Sequence, residues 1–319
     1  MSNAVQHLSI ADMPVQLPHA PATPAQGRAR YFNTGNAFNV KLPPVPDHLF
    51  TAEPAMAFDP STPTGFIACD LSAELGCAFP ATTPLVLIRY ARIRAGESLV
   101  ADFAASGVFV YVIAGHGTTS SAAGAADVAW GAGDLVVLPG GVAFTHHAAV
   151  DAVLWVVTNE PQLAFERLRP PAPGESPTDV IHFTADEIAR QIGIIYDVGR
   201  SEAIAGSALI FSSEALEATR NIMPTLTLAM NSLPGGVTQR PHRHNAVAVS
   251  LIIQGDRCHS VMDGRRKDWS PWATSITPPV TVHSHHNGGN QQAMFLIVQD
   301  GGLFYHTRAM GFEFAEQPA

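Results

Sequence analysis

The sequence predicts an all-β chain made of two similar barrel-like halves joined by a short helical segment. Gly and Pro, 26 and 25 in number, punctuate the 319 residues at short intervals, as in chains with many turns. Between these breaks lie short runs rich in β-branched and aromatic residues, at 85–90, 108–113 and 246–253. Runs of this kind are typical of strands, and many short strands separated by turns are typical of a sandwich or barrel.

The composition excludes several classes of protein. Apolar residues make up 46% of the chain and charged residues 14%, so the chain can bury a large core and is not disordered as a whole. Lys and Arg number 18 against 27 Asp and Glu, which gives 18 − 27 = −9, and no basic cluster stands out. We therefore expect a small molecule or another protein as the partner, and no nucleic acid.

The cysteines and the first residues indicate where the protein resides. Cys69, Cys77 and Cys258 form neither an even disulfide set nor a C-x-x-C metal motif. The first residues lack a basic and apolar signal pattern, and no apolar run approaches the ~20 residues that span a bilayer. These features predict a cytoplasmic protein that does not contact membranes.

The two halves repeat the same residues at a nearly constant separation. Two glycine pairs lie 140 residues apart, and four further pairs lie 139 apart. A duplicated unit explains six matches at nearly one offset better than chance does. The pairs are Gly96 and Gly236, Gly115 and Gly255, Trp130 and Trp269, Pro139 and Pro278, His146 and His285, and His147 and His286.

This repeat divides the chain into four predicted segments. Residues 1–80 are rich in Pro and Ala and are predicted to form an N-terminal arm, followed by a first barrel over 81–165. A linker over 166–223 contains a Pro-rich stretch and then Thr184 and Glu187, spaced as in the capping box that starts a helix. Residues 224–319 are predicted to form the second barrel.

Three histidines in the second half are the candidate metal ligands. His242 and His244 lie two residues apart, so on a strand their imidazoles project from the same face while Arg243 faces the other way. His283 follows 39 residues after His244, on a later strand of the same barrel. Three neutral imidazoles suit Fe, Mn, Ni, Cu or Zn. The alternative is a chance pair, because the chain has 14 histidines.

The first half carries different residues at the corresponding positions. Asp102, Ala104 and Phe144 stand where the second half has its three histidines. His146 and His147 have no H-x-H partner strand, and we expect them at the surface or the rim. The first barrel is therefore predicted to be a degenerate, structural copy without metal.

The second half resembles the cupin superfamily, a double-stranded β-helix or jelly roll. The resemblance lies in Gly236, the H-x-H pair, Gly255, Pro278, His283 and Asn287 at their spacings. Four residues after the H-x-H pair, many cupins carry a Glu ligand, where this chain has Ala248. The chain thus resembles a bicupin whose second barrel holds an uncharged three-histidine site.

The C-terminal cupin resembles, more narrowly, that of the gentisate 1,2-dioxygenase family, which includes salicylate dioxygenases. The similar residues lie at 241–245, 260–264, 267–269, 278 and 283–287, with Met310-Gly-Phe in the tail. The resemblance implies an extradiol-type dioxygenase that holds Fe(II) with three histidines, with Mn, Ni or Zn possible as isolated. It further implies a hydroxylated aromatic acid and O2 as substrates, and a homo-oligomer, commonly a tetramer.

Two further residues are candidates for catalysis, and two other function classes stay open. His285 lies two residues after His283, so on a strand the two side chains face the same side. His285 is therefore either a residue that orients a ligand or moves a proton, or a histidine at the rim of the barrel. Arg240 shares the parity of His242 and either pairs with a substrate carboxylate or is solvated. The alternatives to a dioxygenase are a metal-dependent isomerase or hydrolase acting on a small acid, and a non-catalytic ligand-binding bicupin.

Overall fold

The computed structural model describes residues 9–38, 40–121, 127–198 and 206–315. Contacts divide the chain into two units, Met1–Pro43 and Pro44–Ala319. The first unit contains a 3-10 helix, Ile10–Asp12, and a short helix α1, Pro24–Gly27. An isolated bridge joins Gln16 to Tyr31 within it.

The second unit contains the strands and most of the helices of the described chain. The helices are α2 (Ala52–Phe58), α3 (Ser72–Leu75), α4 (Glu160–Glu166), α5 (Ala185–Asp197) and α6 (Gly301–His306). The strands are β1 (Leu49–Phe50), β2 (Gly65–Ala68), β3 (Leu87–Ile93), β4 (Ser98–Ala101), β5 (Gly107–Ala114), β6 (His116–Ser121), β7 (Val128–Gly131), β8 (Leu135–Pro139), β9 (Phe144–Ala148), β10 (Ala152–Thr158), β11 (Ile181–Phe183), β12 (Ser207–Phe211), β13 (Thr227–Leu233), β14 (His242–His244), β15 (Ala248–Gln254), β16 (Cys258–Met262), β17 (Arg265–Asp268), β18 (Thr274–Thr277), β19 (His283–Asn287), β20 (Ala293–Gln299) and β21 (Phe312–Phe314).

These strands form two barrels, each made of a six-stranded sheet and a smaller sheet. The first barrel combines the order β11-β8-β5-β10-β3-β2 with β4-β9-β6-β7. The second combines β1-β18-β15-β20-β13-β12 with β17-β16-β19-β14-β21. The prediction of an all-β chain with two barrels and a connecting helical segment is confirmed.

Residues 44–80 contribute to both barrels. Strand β2 pairs with β3 of the first barrel, whereas β1 pairs with β18 of the second. The sequence places the end of the arm at residue 80, whereas contacts separate the chain at Pro43 and Pro44. Both strands are short, two and four residues, which leaves little pattern for a sequence to show.

The connecting helix starts where the capping box predicts. Thr184 is the N-cap of α5, and its side chain accepts a hydrogen bond from the backbone N–H of Glu187. The helix buries Ile188 and Ile192. Strand β11 before it belongs to the first barrel and β12 after it to the second. No helix in the described ranges is both long and apolar enough to cross a membrane.

The central strands of the two large sheets bury both of their faces. In β10 every residue is buried, because one face packs in the layer between the barrels and the other fills the first barrel. Trp155 belongs to the layer between the barrels and donates from Nε1 to the Thr274 hydroxyl of the second barrel at 3.0 Å. The Tyr90 hydroxyl lies 2.7 Å from the same Thr274 oxygen. Continuous apolar runs, rather than alternating ones, are the sequence signature of such strands.

The two barrel interiors differ in chemistry although their registers match. Val110 lies opposite Val156 and Val136 in the first barrel, and Ser250 takes the same place opposite Ile297 and Ser275 in the second. The interior side chains of the first barrel form an apolar cluster. The second interior carries polar groups at the matching positions, which are Asn231, Ser250, Ser275, Thr277 and His283 against Ala91, Val110, Val136, Leu138 and Phe144.

Exchanging one matched pair tests this difference. Val110→Ser is expected to lower the free energy of unfolding by about 2–4 kcal/mol, because it removes apolar burial and adds a hydroxyl in an apolar interior. Ser250→Val is the control and should change that free energy by less than about 1 kcal/mol, because its surroundings are not a packed apolar cluster. Urea denaturation measures both. Equal losses in the two variants would contradict the description of the first barrel as the packed one.

Candidate metal centre

The structure brings the three predicted ligands together inside the second barrel. His242 and His244 lie on β14, and His283 lies on β19 directly opposite His242. All three are buried, at 5%, 6% and 3% exposure. One nitrogen of each ring lies within 4.8 Å of the others. Arg243, between the first two, points outward and pairs with Glu313.

Backbone carbonyls set the orientation of all three imidazoles. Nδ1 of His242 lies 2.9 Å from the carbonyl oxygen of Arg240, Nδ1 of His244 lies 2.8 Å from that of Ala246, and Nδ1 of His283 lies 2.9 Å from that of Thr281. A carbonyl only accepts, so each Nδ1 carries the hydrogen and each Nε2 keeps its lone pair. This tautomer is the one that ligates a metal through Nε2.

Burial keeps the three rings neutral. Desolvation lowers the pKa of His242 to about 4 and that of His283 to about 3, the neighbouring imidazoles lowering the latter further. The pKa of His244 is lowered by the same burial. At neutral pH the three nitrogens are therefore free bases that converge on one point. The donor set fits a divalent transition metal.

A cavity of about 360 Å³ adjoins the three histidines, within the usual range for small-molecule sites. Its apolar walls come from Ile210, Ile297, Met310 and Phe312. Its polar side chains are mostly uncharged: besides the histidines, the described lining residues contain amides and hydroxyls but no Lys, Arg, Asp or Glu. An ion held by neutral ligands keeps its +2 charge, so it would be the main attraction for an anion here.

His285 is held by a hydrogen-bonded trio. Its Nδ1 lies 2.8 Å from the Ser260 hydroxyl, which accepts from the Trp269 indole N–H at 2.8 Å. The ring is buried, lines the cavity, and lies with its centroid 5.8 Å from that of His283. Burial and the neighbouring histidines hold its pKa well below the usual value. His285 is thus a neutral imidazole next to the ligand set.

The first barrel repeats this trio without the metal ligands. Trp130 donates to Thr119, whose hydroxyl lies 2.7 Å from Nδ1 of His146. The expectation of His146 at the surface or rim was wrong: it is 1% exposed, because its strand parity directs it into the barrel. His147, its neighbour, is exposed as expected.

The positions that match the metal ligands are occupied differently in the first barrel. Asp102 and Ala104 are exposed to solvent, in the segment that follows β4. Phe144 is 3% exposed and belongs to the apolar interior. In the described part of the chain, a single group of three or more potential ligand side chains converges, and it is the one in the second barrel.

A register change before β14 decides which side chain enters the cavity. Thr238 pairs with His286, but His242 pairs with His283, so the strand carrying Pro241 holds one extra residue. Such a bulge reverses the faces on either side of it. Gln239 consequently lines the cavity, whereas the Arg240 guanidinium stacks over the Phe314 ring at 3.9 Å. Arg240 contacts the metal site through its backbone carbonyl oxygen, which lies 2.9 Å from Nδ1 of His242.

Two amide side chains at the cavity were not singled out from the sequence. Gln239 is 8% exposed, and its Oε1 is buried without a hydrogen-bond partner. Gln299 lies with Nε2 3.2 Å from Nε2 of His244. Because of the bulge, strand parity does not predict that Gln239 faces the cavity. The position of Gln299 depends on a strand pairing between residues distant in sequence. No motif in the sequence signals either.

Removing one ligand should abolish metal binding. His242→Ala is expected to lose the metal, because two imidazoles remain of a three-nitrogen set, while the barrel keeps its fold through apolar burial. Arg243→Ala is the control, since that side chain points outward. Metal content per chain and far-UV circular dichroism measure the two effects. We expect one metal per chain in the wild type and none in His242→Ala, and unchanged metal content in His242→Ala would refute the assignment.

The buried histidines also predict how the metal-free protein responds to acid. Burial lowers the pKa of His146 from 6.5 to about 4, so between these values the unfolded chain holds a proton that the folded chain does not. Stability therefore falls as the pH falls from 6.5 to 4, and His242 and His283 act in the same direction. Asp300, with its pKa raised by burial to about 6, opposes this as one group, whereas burial also lowers the pKa of His244 and of His285.

A matched pair of variants separates the contribution of His146. His146→Leu should reduce the slope of the unfolding free energy against pH by up to about 1.4 kcal/mol per pH unit in that range. His147→Leu, at the adjacent exposed position, should leave the slope unchanged. Urea midpoints at several pH values give both slopes. An unaltered slope in His146→Leu would show that this ring titrates normally in the folded protein.

Comparison with known proteins gives a partial sequence match and a similar fold. No family model matches the chain. Over 82 residues it is 32% identical to gentisate 1,2-dioxygenase of Ralstonia sp., and the stretch spans 26% of this chain and only 23% of that relative. Its structure is similar to that of salicylate 1,2-dioxygenase of Pseudaminobacter salicylatoxidans, with a TM-score of 0.72 at 15% identity over 87% of this chain and 90% of that one.

The same salicylate 1,2-dioxygenase as an adduct with gentisate gives a TM-score of 0.71 at 14% identity, with 87% of each chain covered. At such identities the likeness shows the fold, and the fold includes both barrels because most of both chains is covered. The two barrels and their connecting segment agree with that fold. The chain therefore has the same two-barrel fold as this salicylate 1,2-dioxygenase.

Proposed function

We propose that this protein is an Fe(II)-dependent, extradiol-type dioxygenase that opens the ring of a hydroxylated aromatic carboxylic acid of the gentisate or salicylate type. The observation that carries the proposal is the group of three neutral, carbonyl-anchored imidazoles beside a cavity of about 360 Å³. The dioxygenase relatives support the reaction class. From the same resemblance we propose a homo-oligomer, and the free cysteines Cys69, Cys77 and Cys258 accord with a reducing cytoplasm.

Three neutral protein ligands favour this substrate class on electrostatic grounds. The ion would keep its +2 charge and bring redox chemistry with O2, and three histidines leave positions open on a six-coordinate ion. A carboxylate with an adjacent hydroxyl offers two oxygens for such positions. The ring bond between the two carbons that bear these groups would break, and both atoms of O2 would enter the product, so no external reductant is needed.

The walls of the cavity would hold and orient the aromatic ring. Ile210, Ile297 and Phe312 provide apolar surface on different elements, and closing such walls on a ring excludes water from the site. Met310 and Tyr305 line the same cavity, from the segment that leads into β21. The ring is thereby placed with its charged edge toward the histidines.

We assign to His285 the holding and moving of a proton beside the substrate oxygens. Ser260 accepts from the Trp269 indole, so its own hydrogen is directed to Nδ1 of His285. The neutral ring then carries its hydrogen on Nε2, the nitrogen that can donate to a substrate oxygen. For Arg240 we propose a positioning role, because its carbonyl fixes the His242 tautomer and its guanidinium lies on Phe314.

Anaerobic reconstitution tests the reaction. The metal-free protein loaded with Fe(II) should bind salicylate or gentisate with a spectral change, and after O2 is added it should consume about one equivalent per ring opened. Zn(II) should support binding of the acid without turnover, because zinc has no redox chemistry. Oxygen-electrode traces and product mass spectrometry measure the outcome.

The methyl ester of the acid is the matched control for the chelate. It should bind more weakly and turn over more slowly, since one anionic ligand is lost. Turnover that proceeds equally without O2, or with Zn(II), would replace the dioxygenase with the isomerase or hydrolase. Binding of the acid without any chemical change under O2 would favour a ligand-binding bicupin.

A further inference from the structure

The strand opposite Ala248 carries an amide at the place of the absent carboxylate. Many cupins bear a Glu ligand four residues after the H-x-H pair, and this chain has Ala248 there. In the antiparallel pairing of β15 with β20, Ala248 lies directly opposite Gln299. Both residues line the cavity. Directly opposite residues have neighbouring Cβ atoms, so Gln299 reaches the space that a longer side chain at 248 would occupy.

The Gln299 amide already contacts one metal ligand. Its Nε2 lies 3.2 Å from Nε2 of His244, whose other nitrogen is held by the Ala246 carbonyl. The contact therefore involves the ligating nitrogen of His244. Rotation of the amide by half a turn places Oε1 where Nε2 stands, since the two ends have the same shape.

The 3.2 Å separation equals that of neighbouring ligands on one ion. Two atoms that are each bonded at about 2.1 Å to a transition metal, at angles of 90° to 110°, lie about 3.0–3.4 Å apart. An amide oxygen is a neutral oxygen donor of the kind that divalent ions accept. The amide rotation thus places an oxygen at ligand spacing from the ligating nitrogen of His244.

We propose that Gln299 supplies a fourth, neutral and exchangeable ligand to the metal held by His242, His244 and His283. It replaces in position, but not in charge, the carboxylate that other cupins place at 248. The ion keeps its +2 charge, and with Gln299 bound only two of six positions stay open. A bidentate acid fills these two, so the amide must leave before a further ligand such as O2 can bind. The inference rests on the proposed metal site and on no step of the ring-opening reaction.

This ligand controls how many further ligands the metal accepts. With Gln299 bound, an acid that chelates through its carboxylate and ortho hydroxyl fills both open positions, and a further ligand binds only when the amide leaves. Gln299 would therefore occupy the remaining position until that further ligand displaces it. The neutral amide gives way more easily than a charged carboxylate, because it forms the weaker bond with a dication.

Metal titration with Co(II) tests the assignment without substrate or O2. Gln299→Leu should weaken Co(II) binding about 10–100-fold and change the visible absorption spectrum of the bound ion, because one ligand is lost. Gln299→Glu should bind Co(II) at least as tightly as the wild type, since a carboxylate takes the same position, and should weaken salicylate binding to the loaded protein. Gln239→Leu is the matched control, an amide of the same cavity whose Oε1 has no hydrogen-bond partner, and should keep the wild-type affinity and spectrum.

Three results would overturn the proposal. The first is wild-type Co(II) affinity and spectrum in Gln299→Leu, and the second is weakened binding with an unchanged spectrum, which indicates only a hydrogen bond to His244. The third is Gln299→Glu binding Co(II) no better than Gln299→Leu. Because Glu has the same shape as Gln, the Glu variant also shows whether misfolding, rather than loss of a ligand, weakens Co(II) binding in Gln299→Leu. Loss of the proposed reaction has a different signature, because it leaves these Co(II) results intact.

Discussion

The layer of side chains between the two six-stranded sheets holds the barrels together and sets the direction of every other residue on their strands. Trp155 and Tyr90 from the first barrel meet Thr274 of the second in this layer, among apolar residues of both sheets. Because successive side chains on a strand point to opposite faces, those between the layer residues must point into a barrel. A slip of one residue would put the layer residues inside and the interior residues between the barrels. The register is therefore fixed from both sides.

The interiors of the two barrels have the same strand geometry but contain different side chains. The first is packed with apolar side chains such as Val110 and Phe144, and this burial contributes stability. The second retains polar groups, and two of them, Gln239 Oε1 and Ser275 Oγ, are buried without partners. Unpaired buried groups cost stability. The first interior carries this cost as well, at Nε2 of His146, and offsets it with its own apolar packing.

Much of this was predictable from local patterns and from the repeat. The H-x-H spacing predicted that His242 and His244 share a face, and Thr184 marked the start of the connecting helix, because both depend on residues a few positions apart. The tautomers of the three imidazoles were not predictable, since each depends on one backbone carbonyl. Gln239 could not be predicted as a cavity residue because a single bulge reverses the strand parity. Gln299 could not be predicted because its pairing with Ala248 joins residues about 50 positions apart in sequence. Long-range register is set by packing of the whole sheet.

The described strand nearest the C-terminus completes the site, and this has a consequence for biosynthesis. Phe312 of β21 lies opposite His244 of β14, and Tyr305, Met310 and Phe312 close one side of the cavity. The strands of the first barrel, by contrast, end at Phe183, so they emerge from the ribosome while the cavity wall is still being synthesised, and domains commonly fold in that order. A chain interrupted after residue 300 would carry all three imidazoles and a finished first barrel but an open groove in place of a pocket. Proteolysis or premature termination in this short segment would thus leave the strands of the first barrel complete and remove one wall of the binding cavity.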